Sequence, residues 1–307
     1  MKNFLPEGSL LQTAENLAAM KSLATLKEAM ANKTILESRV SMCDYEHNLI
    51  VEFPFMKGII PRVEGAIGIS DGKVRDIALI SRVNRPVCFV VTNITVDSQG
   101  KPLAILSRRE AQQMCFDNYI SKLNVGDIIN TKITHLEPFG AFCDIGCGIA
   151  SLIPIDSISV SRIFHPSDRF AVGDNIKAVV KSREDNGRIN LTHKELLGTW
   201  SENASLFSQG ETVSGIVRTV ESYGSFVELT PNLAGLAEPK DGVKPGQLAS
   251  VYIKSILPDK MKVKLIIVDS FDGEVTKSNT EYFFNGEHMD YWQYSPDNCE
   301  REIATRF

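Results

Sequence analysis

No run of about 18 apolar residues occurs in this chain, which excludes a membrane-spanning helix of ordinary length. The opening MKNFLPEGSL lacks the apolar core that a signal peptide needs. A soluble, cytoplasmic protein that does not enter membranes is expected. Histidine is scarce, at 5 in 307 residues, and no nucleophile-and-base pair, Walker loop, dinucleotide fingerprint or HExxH helix occurs. The sequence therefore predicts no enzyme and no cofactor. Cysteine is thinly spread, with Cys43, Cys88, Cys115, Cys143, Cys147 and Cys299 scattered along the chain, a pattern that suits reduced thiols better than a disulfide framework. Cys143 and Cys147 lie four apart, as do Cys43 and His47, but a zinc site wants paired Cys-x-x-Cys or clustered histidines, so no metal is expected.

A large basic excess is also missing. The net charge is −5, which argues against coating nucleic acid by charge alone, since neutralising phosphates takes clustered Lys and Arg. Much of the deficit sits in residues 273–307, with 3 basic against 7 acidic residues, whereas residues 1–122 carry 15 against 13. Local basic faces are compatible with that distribution. With 43% hydrophobic and 23% charged residues, the composition is that of a globular chain, and the length suggests two or three domains.

What is present is repetition. GDIINTKITHLEPFGAFCDIGCGIASLIP (126–154) runs in register with GETVSGIVRTVESYGSFVELTPNLAGLAEP (210–239). Each opens on glycine and continues as an alternating strand, Ile129, Thr131 and Ile133 in one and Val213, Gly215 and Val217 in the other. Glu137 or Glu221 follows, then ring, glycine, small residue, ring. SREDNGRINLT (182–192) matches SILPDKMKVKLII (255–267), placing Asp185 opposite Asp259 and Arg188 opposite Lys262. The first copy is longer by about ten residues, the polar SISVSRIFHPSDRF. A third, fainter copy spans residues 34–111, with His47 and Ile50 at the ring positions. Each copy holds several short alternating runs parted by Gly, Asp, Asn and Pro, the pattern of a small closed antiparallel barrel.

The fold class follows: mainly β, three tandem five-stranded barrels behind an N-terminal helix, with short connecting helices. The expected domains are an N-terminal helix (1–33), a degenerate barrel (34–122), two clear barrels (123–207 and 208–272) and an aromatic-rich segment (273–307). One long amphipathic helix is read over 9–34, with Ser9 and Gln12 as a capping box, and connecting helices over 107–123 and 192–207. In the last segment Asn285-Gly286, between aromatic runs, predicts a hairpin that packs on a neighbour.

Phe139 and Phe142 are three apart, so a plain strand would put them on opposite faces, and a bend or bulge at Gly140 is expected to present both together. Such a platform stacks nucleobases; the alternative is that the rings fill the barrel core. Tyr223, with its hydroxyl, suits a wet surface, whereas Phe142 and Phe226 fit either place. The order Gly-Asp, strand, Phe-Gly-x-Phe, acid, then Val-Gly-Asp (172–174) and Asp-x-Gly-Arg-Ile-x-Leu (185–191) resembles the S-one RNA-binding domain, the OB-fold repeat of the largest small-subunit ribosomal protein. The resemblance spans 123–198, 209–270 and, faintly, 34–111. It implies a single-stranded RNA or mRNA ligand and a place in translation on the small ribosomal subunit. It also implies RNA contacts by Phe139, Phe142, Asp185 and Arg188 in the middle repeat and by Tyr223, Phe226, Asp259 and Lys262 in the last.

The family's third-strand histidine is replaced by Pro154 and Glu238, and Glu238 is expected to repel phosphate. Lys262 lacks the planar fork of arginine, so the middle repeat is expected to bind best. Asp185 is first of all part of an Asp-Asn-Gly turn. His165 is a candidate to stack or to bond a phosphate, although His-Pro-Ser-Asp is equally a helix start. Arg162, Arg169, Lys181, Arg183 and Lys194 are candidate basic support. The competing reading is a protein-interaction scaffold with a vestigial RNA face.

Overall fold

The computed structural model describes residues 4–184, 187–273 and 280–307. Among these residues three closed five-stranded barrels form, as the alternation predicts. The first comprises β1 (Leu36–Cys43), β2 (Leu49–Glu52), β3 (Lys57–Ile60), β4 (Pro86–Val96) and β5 (Pro102–Ser107). The middle barrel comprises β6 (Ile128–Glu137), β7 (Gly140–Asp144), β8 (Ala150–Pro154), β9 (Asn175–Arg183) and β10 (Ile189–Thr192). In the last are β11 (Thr212–Glu221), β12 (Gly224–Thr230), β13 (Leu233–Ala237), β14 (Leu248–Leu257) and β15 (Lys262–Phe271). All three share one strand order, 1-2-3-5-4, with the third strand parallel to the fifth and the remaining recorded pairs antiparallel. This is the OB topology. Barrel interiors are filled by every second residue, as in β15, where Val263, Leu265 and Ile267 are buried between exposed Lys262, Lys264 and Ile266. Cys143 is fully buried, as is Val227 at the matching position.

The chain divides into two compact units. One holds the residues up to Leu123 together with Asp144–Ala150, the other Asn124–Cys143 and Ser151 onward. In the first unit the expected single helix is two, α1 (Ala14–Ala19) and α2 (Leu23–Ala31). Ser22 adopts extended backbone and caps α2 through a box with Thr25, which breaks the run. The capping box expected at Ser9 does not form, because Glu37 takes the amides of Gly8, Leu10 and Leu11. Two further short helices belong to this unit, α3 (Ile77–Ile80) and α4 (Arg108–Asn118). A buried carboxylate, Glu7, binds the buried guanidinium of Arg108 at 2.7 Å and that of Arg82 at 3.1 Å. Burial opposes its ionisation, but the two arginines outweigh it and hold Glu7 below the usual carboxylate range.

In the second unit the expected 192–207 helix is a 3-10 turn (Lys194–Leu197) followed by α5 (Trp200–Ala204). Gly198 separates them at φ +85°, and a Cβ there would lie 2.8 Å from the Phe283 ring. The inserted loop after β8 is not a free polar excursion. Ser161 N donates to Pro231 O and Val160 N to Asn232 Oδ1, while Arg169 pairs with Glu228 at 2.6 Å, so the loop binds the last barrel. The C-terminal segment packs in cis. Its amides and carbonyls join Ile128 to Glu287, Met289 to Gly126 and Trp200 to Tyr294, and the Tyr294 hydroxyl donates to Asn232 O at 2.6 Å. The expected hairpin at Asn285-Gly286 does not form, because that stretch lies along residues 126–128. The segment's pairing is instead β16 (Tyr291–Gln293) with β17 (Ala304–Arg306).

His193 sits fully inside this unit. Its Nδ1–H donates to Lys177 O at 2.8 Å, and its ring meets the edges of Phe170 and Tyr282 at 5.1 and 5.6 Å. Burial pushes its pKa down from 6.5 to about 4. Between those values the unfolded chain binds the proton and the folded one does not. Stability therefore falls as pH falls through that window, by about 3 kcal/mol in all, and is insensitive to this group above it. Both tryptophans, Trp200 and Trp292, are buried in this unit, so urea titrations followed by tryptophan fluorescence at pH 7.5 and 4.5 will show the loss. His193→Gln is expected to remove most of that pH dependence; an equal dependence in the variant would assign it elsewhere.

Candidate nucleic-acid interface

The two ring motifs build the same object. Pro138-Phe139 and Ser222-Tyr223 are two-residue turns joining the first and second strands of their barrels, and Phe142 and Phe226 stand on the strands that follow. Phe139 and Phe142 meet edge to face with centroids 6.0 Å apart at 88°, and Tyr223 and Phe226 at 6.4 Å and 87°. Phe139 is 56% exposed and Tyr223 62%, while the second ring of each pair is half-buried. Neither pair is sealed in its core.

The expected bend takes the form of the turn itself, since the first ring belongs to the turn and not to the strand. In the last barrel the irregularity lies across the hairpin, between Val217 and Thr219. What each glycine supplies is close approach. A Cβ on Gly140 would lie 2.4 Å from Ile153 O, and one on Gly224 2.2 Å from Ala237 O, with Gly224 also at φ +147°. The third strand's carbonyl occupies the space a side chain would need, and so the strand bearing the second ring is pressed against its neighbour.

Around the second ring the barrels differ. His135 on β6 lies against Phe142, ring centroids 6.2 Å apart at 29°, and Asn190 on β10 stands opposite Leu152. The matching residues in the last barrel are Thr219, paired with Phe226, and Lys264, paired with Leu236. Arg188 and Lys262, at the approach to the fifth strands, are both exposed. Asp259 is exposed in the 3-10 turn Pro258–Lys260, which closes on Met261 at φ +48°. Asp185 lies outside the described residues. His165 caps the turn Pro166–Asp168, its Nδ1 accepting from Ser167 N at 3.1 Å.

Glu238 does not stand as a bare charge. Lys254 lies 2.7 Å from it and, by that hydrogen bond, holds its carboxyl below the usual range. Of the candidate basic support, Arg169 is taken by Glu228, which also binds Arg218 at 2.8 Å. Lys181 donates to Ser157 Oγ and Lys194 to Asp156 O, while exposed Arg162 leans on Phe164 at 6.0 Å. His135 escaped the sequence reading. The signal was available, since a two-residue turn at 138–139 folds β6 back beside β7 and brings His135 to Phe142.

In the first barrel His47 occupies the turn at φ +64°, 3.6 Å from Asp76, which Arg62 binds at 2.6 Å. Ile50 stands at the second ring position, so no ring pair forms there.

Fold and site together define a tandem array of OB-fold barrels, two of which present paired rings. Residues 122–194 match the family model described as S1 RNA binding domain, so the middle barrel is an S1 domain. The chain is homologous to bacterial small ribosomal subunit protein bS1. It is 27% identical to that of Staphylococcus aureus (strain COL), covering 92% of this chain and 75% of that protein. To that of Staphylococcus epidermidis it is 28% identical over 85% of this chain and 68% of that protein. Among solved structures, a multidomain protein with nucleic acid binding domains from Streptococcus pneumoniae aligns at 13% identity with a TM-score of 0.26. That alignment covers 77% of this chain and 74% of the other.

Gly224→Ala tests the close approach. It must both strain φ and push against the Ala237 carbonyl, so a loss of about 1–3 kcal/mol is expected, measured by urea denaturation of the second unit. An unchanged midpoint would show that the strand has room to move.

Proposed function

We propose that this chain binds single-stranded RNA without acting on it chemically, by stacking bases on the ring pairs of its middle and last barrels. The observation that carries this is the pair of outward, edge-to-face ring clusters, built twice at 6.0 and 6.4 Å with the leading ring more than half exposed. Rings open to water favour base stacking over the scaffold reading, in which they would be covered. Phe139, Phe142 and Arg188 form the middle contact, and Asp185, which lies outside the described residues, is assigned by resemblance alone as an acceptor for a ribose hydroxyl. Tyr223, Phe226, Asp259 and Lys262 form the last. His165, whose Nδ1 is taken by Ser167, leaves Nε2 as its group for a phosphate.

The domain plan divides the work, with 123–207 and 208–272 holding RNA. The first barrel, 34–122, which has His47 and Ile50 where the other two have their ring pair, docks on protein, and 280–307 ties the two RNA barrels. Similarity to bS1 supports a place in the cytoplasm on the small ribosomal subunit, assisting mRNA binding; co-sedimentation with small subunits on a sucrose gradient tests that attachment.

Titration with a fluorescent single-stranded RNA at two salt concentrations tests the ligand. Phe139→Ala is expected to weaken binding by about 1–3 kcal/mol, roughly 5- to 160-fold. The salt slope should be shallow, about −0.7 per phosphate engaged, and should be the same in the variant. A variant that binds like the parent would refute stacking, and RNA shortened on incubation with magnesium would refute the passive role.

A further inference from the structure

This inference rests on the RNA-binding reading above and concerns which bases the middle barrel prefers. His135 is 62% exposed in its side chain and lies nearly parallel to Phe142, which itself meets Phe139 edge to face. The middle barrel thus offers three rings where the last offers two, since Thr219 fills the matching place. The imidazole is also oriented. Its Nε2 lies 2.6 Å from Glu137 Oε1, and a carboxylate only accepts hydrogen bonds, so Nε2 carries the proton. In the neutral ring Nδ1 is then a lone-pair acceptor, carried on an imidazole that lies against the half-buried second ring.

We propose that His135, held in this tautomer by Glu137, is a specificity-determining residue that favours bases bearing an exocyclic amine over uracil. At C4 cytosine carries an N4 amine and uracil the O4 carbonyl, and in the proposed contact the Nδ1 acceptor faces that substituent. An acceptor meets the first as a partner and the second as a repulsion. The last barrel, with Thr219, has a hydroxyl that both donates and accepts, and it makes no such distinction.

The two pyrimidines have rings of similar size, so comparing them separates hydrogen bonding from stacking. The full-length protein is titrated with fluorescent cytidine and uridine decamers of the same length at one salt concentration. Wild type is expected to prefer the cytidine decamer about fivefold, the worth of roughly one net hydrogen bond. His135→Phe keeps a ring against Phe142 but loses the acceptor; it should retain affinity for the uridine decamer and bring the two affinities together. Glu137→Leu, which frees the imidazole to rotate and change tautomer, should reduce the preference without abolishing binding. Both residues lie at the end of β6 outside the core, and circular dichroism confirms that the variants fold. Equal affinities in wild type, or a preference that survives His135→Phe, would overturn the assignment while leaving RNA binding intact. Failure of both decamers to bind would overturn the RNA reading itself.

Discussion

A peptide carbonyl sits where a side chain would otherwise be. Ile153 O beside Gly140 and Ala237 O beside Gly224 bring the second and third strands of their barrels closer than any residue with a Cβ allows. Several features hang on that approach. The preceding turn is only two residues long, its second residue is thrown outward, and the next outward residue on the strand is the second ring. Two aromatic side chains three apart in sequence therefore meet edge to face in solvent. The ring motif is in this sense a glycine motif: the rings are presented together because the backbone beneath them has been drawn tight.

Charge is spent differently. Arg169 and Arg218 share Glu228, and each of these side chains is about nine-tenths buried or more. A guanidinium placed there is costly to desolvate and is retained only with its carboxylate. These cations fasten the inserted loop to the last barrel and are lost to any ligand. Glu238 and Lys254 likewise cancel at the surface. An acidic unit of this kind is consistent with nucleic-acid binding of the proposed sort, since stacking on ring faces needs no continuous basic field.

The barrels were legible because their evidence was both periodic and repeated: alternation gives the strand, and a second copy in register shows which residues are fixed by the fold. Gly140 and Gly224 were visible as constants of the motif, but their partner carbonyls were not, since close approach is a tertiary fact. The helices were misjudged for a local reason. Apolar spacing over 9–34 is continuous, yet Ser22 offers a cap inside it, and Gly198 does the same to 192–207 by taking a left-handed backbone. The C-terminal segment was misread for a non-local one. Asn285-Gly286 carries good hairpin chemistry, but hydrogen bonds to residues 126–128 outbid a local turn. Asp185, by contrast, could be read only as a turn residue by sequence, and the described residues do not include it.

Three barrels with one strand order need not share one task, and the positions beside the rings are where they part. Around Phe142 stand an oriented imidazole and the amide of Asn190; around Phe226, a hydroxyl and the ammonium of Lys264; and in the first barrel the second ring itself is Ile50. The first set suits directional bonds to a base edge, and the second a phosphate that any nucleotide supplies. The third has no ring pair at these positions. Since the core positions alternate identically in all three, substitution at these outward sites costs the fold little. An array of this kind can therefore diverge in recognition while conserving its architecture, with the tight glycine retained only in the barrels where rings must be presented.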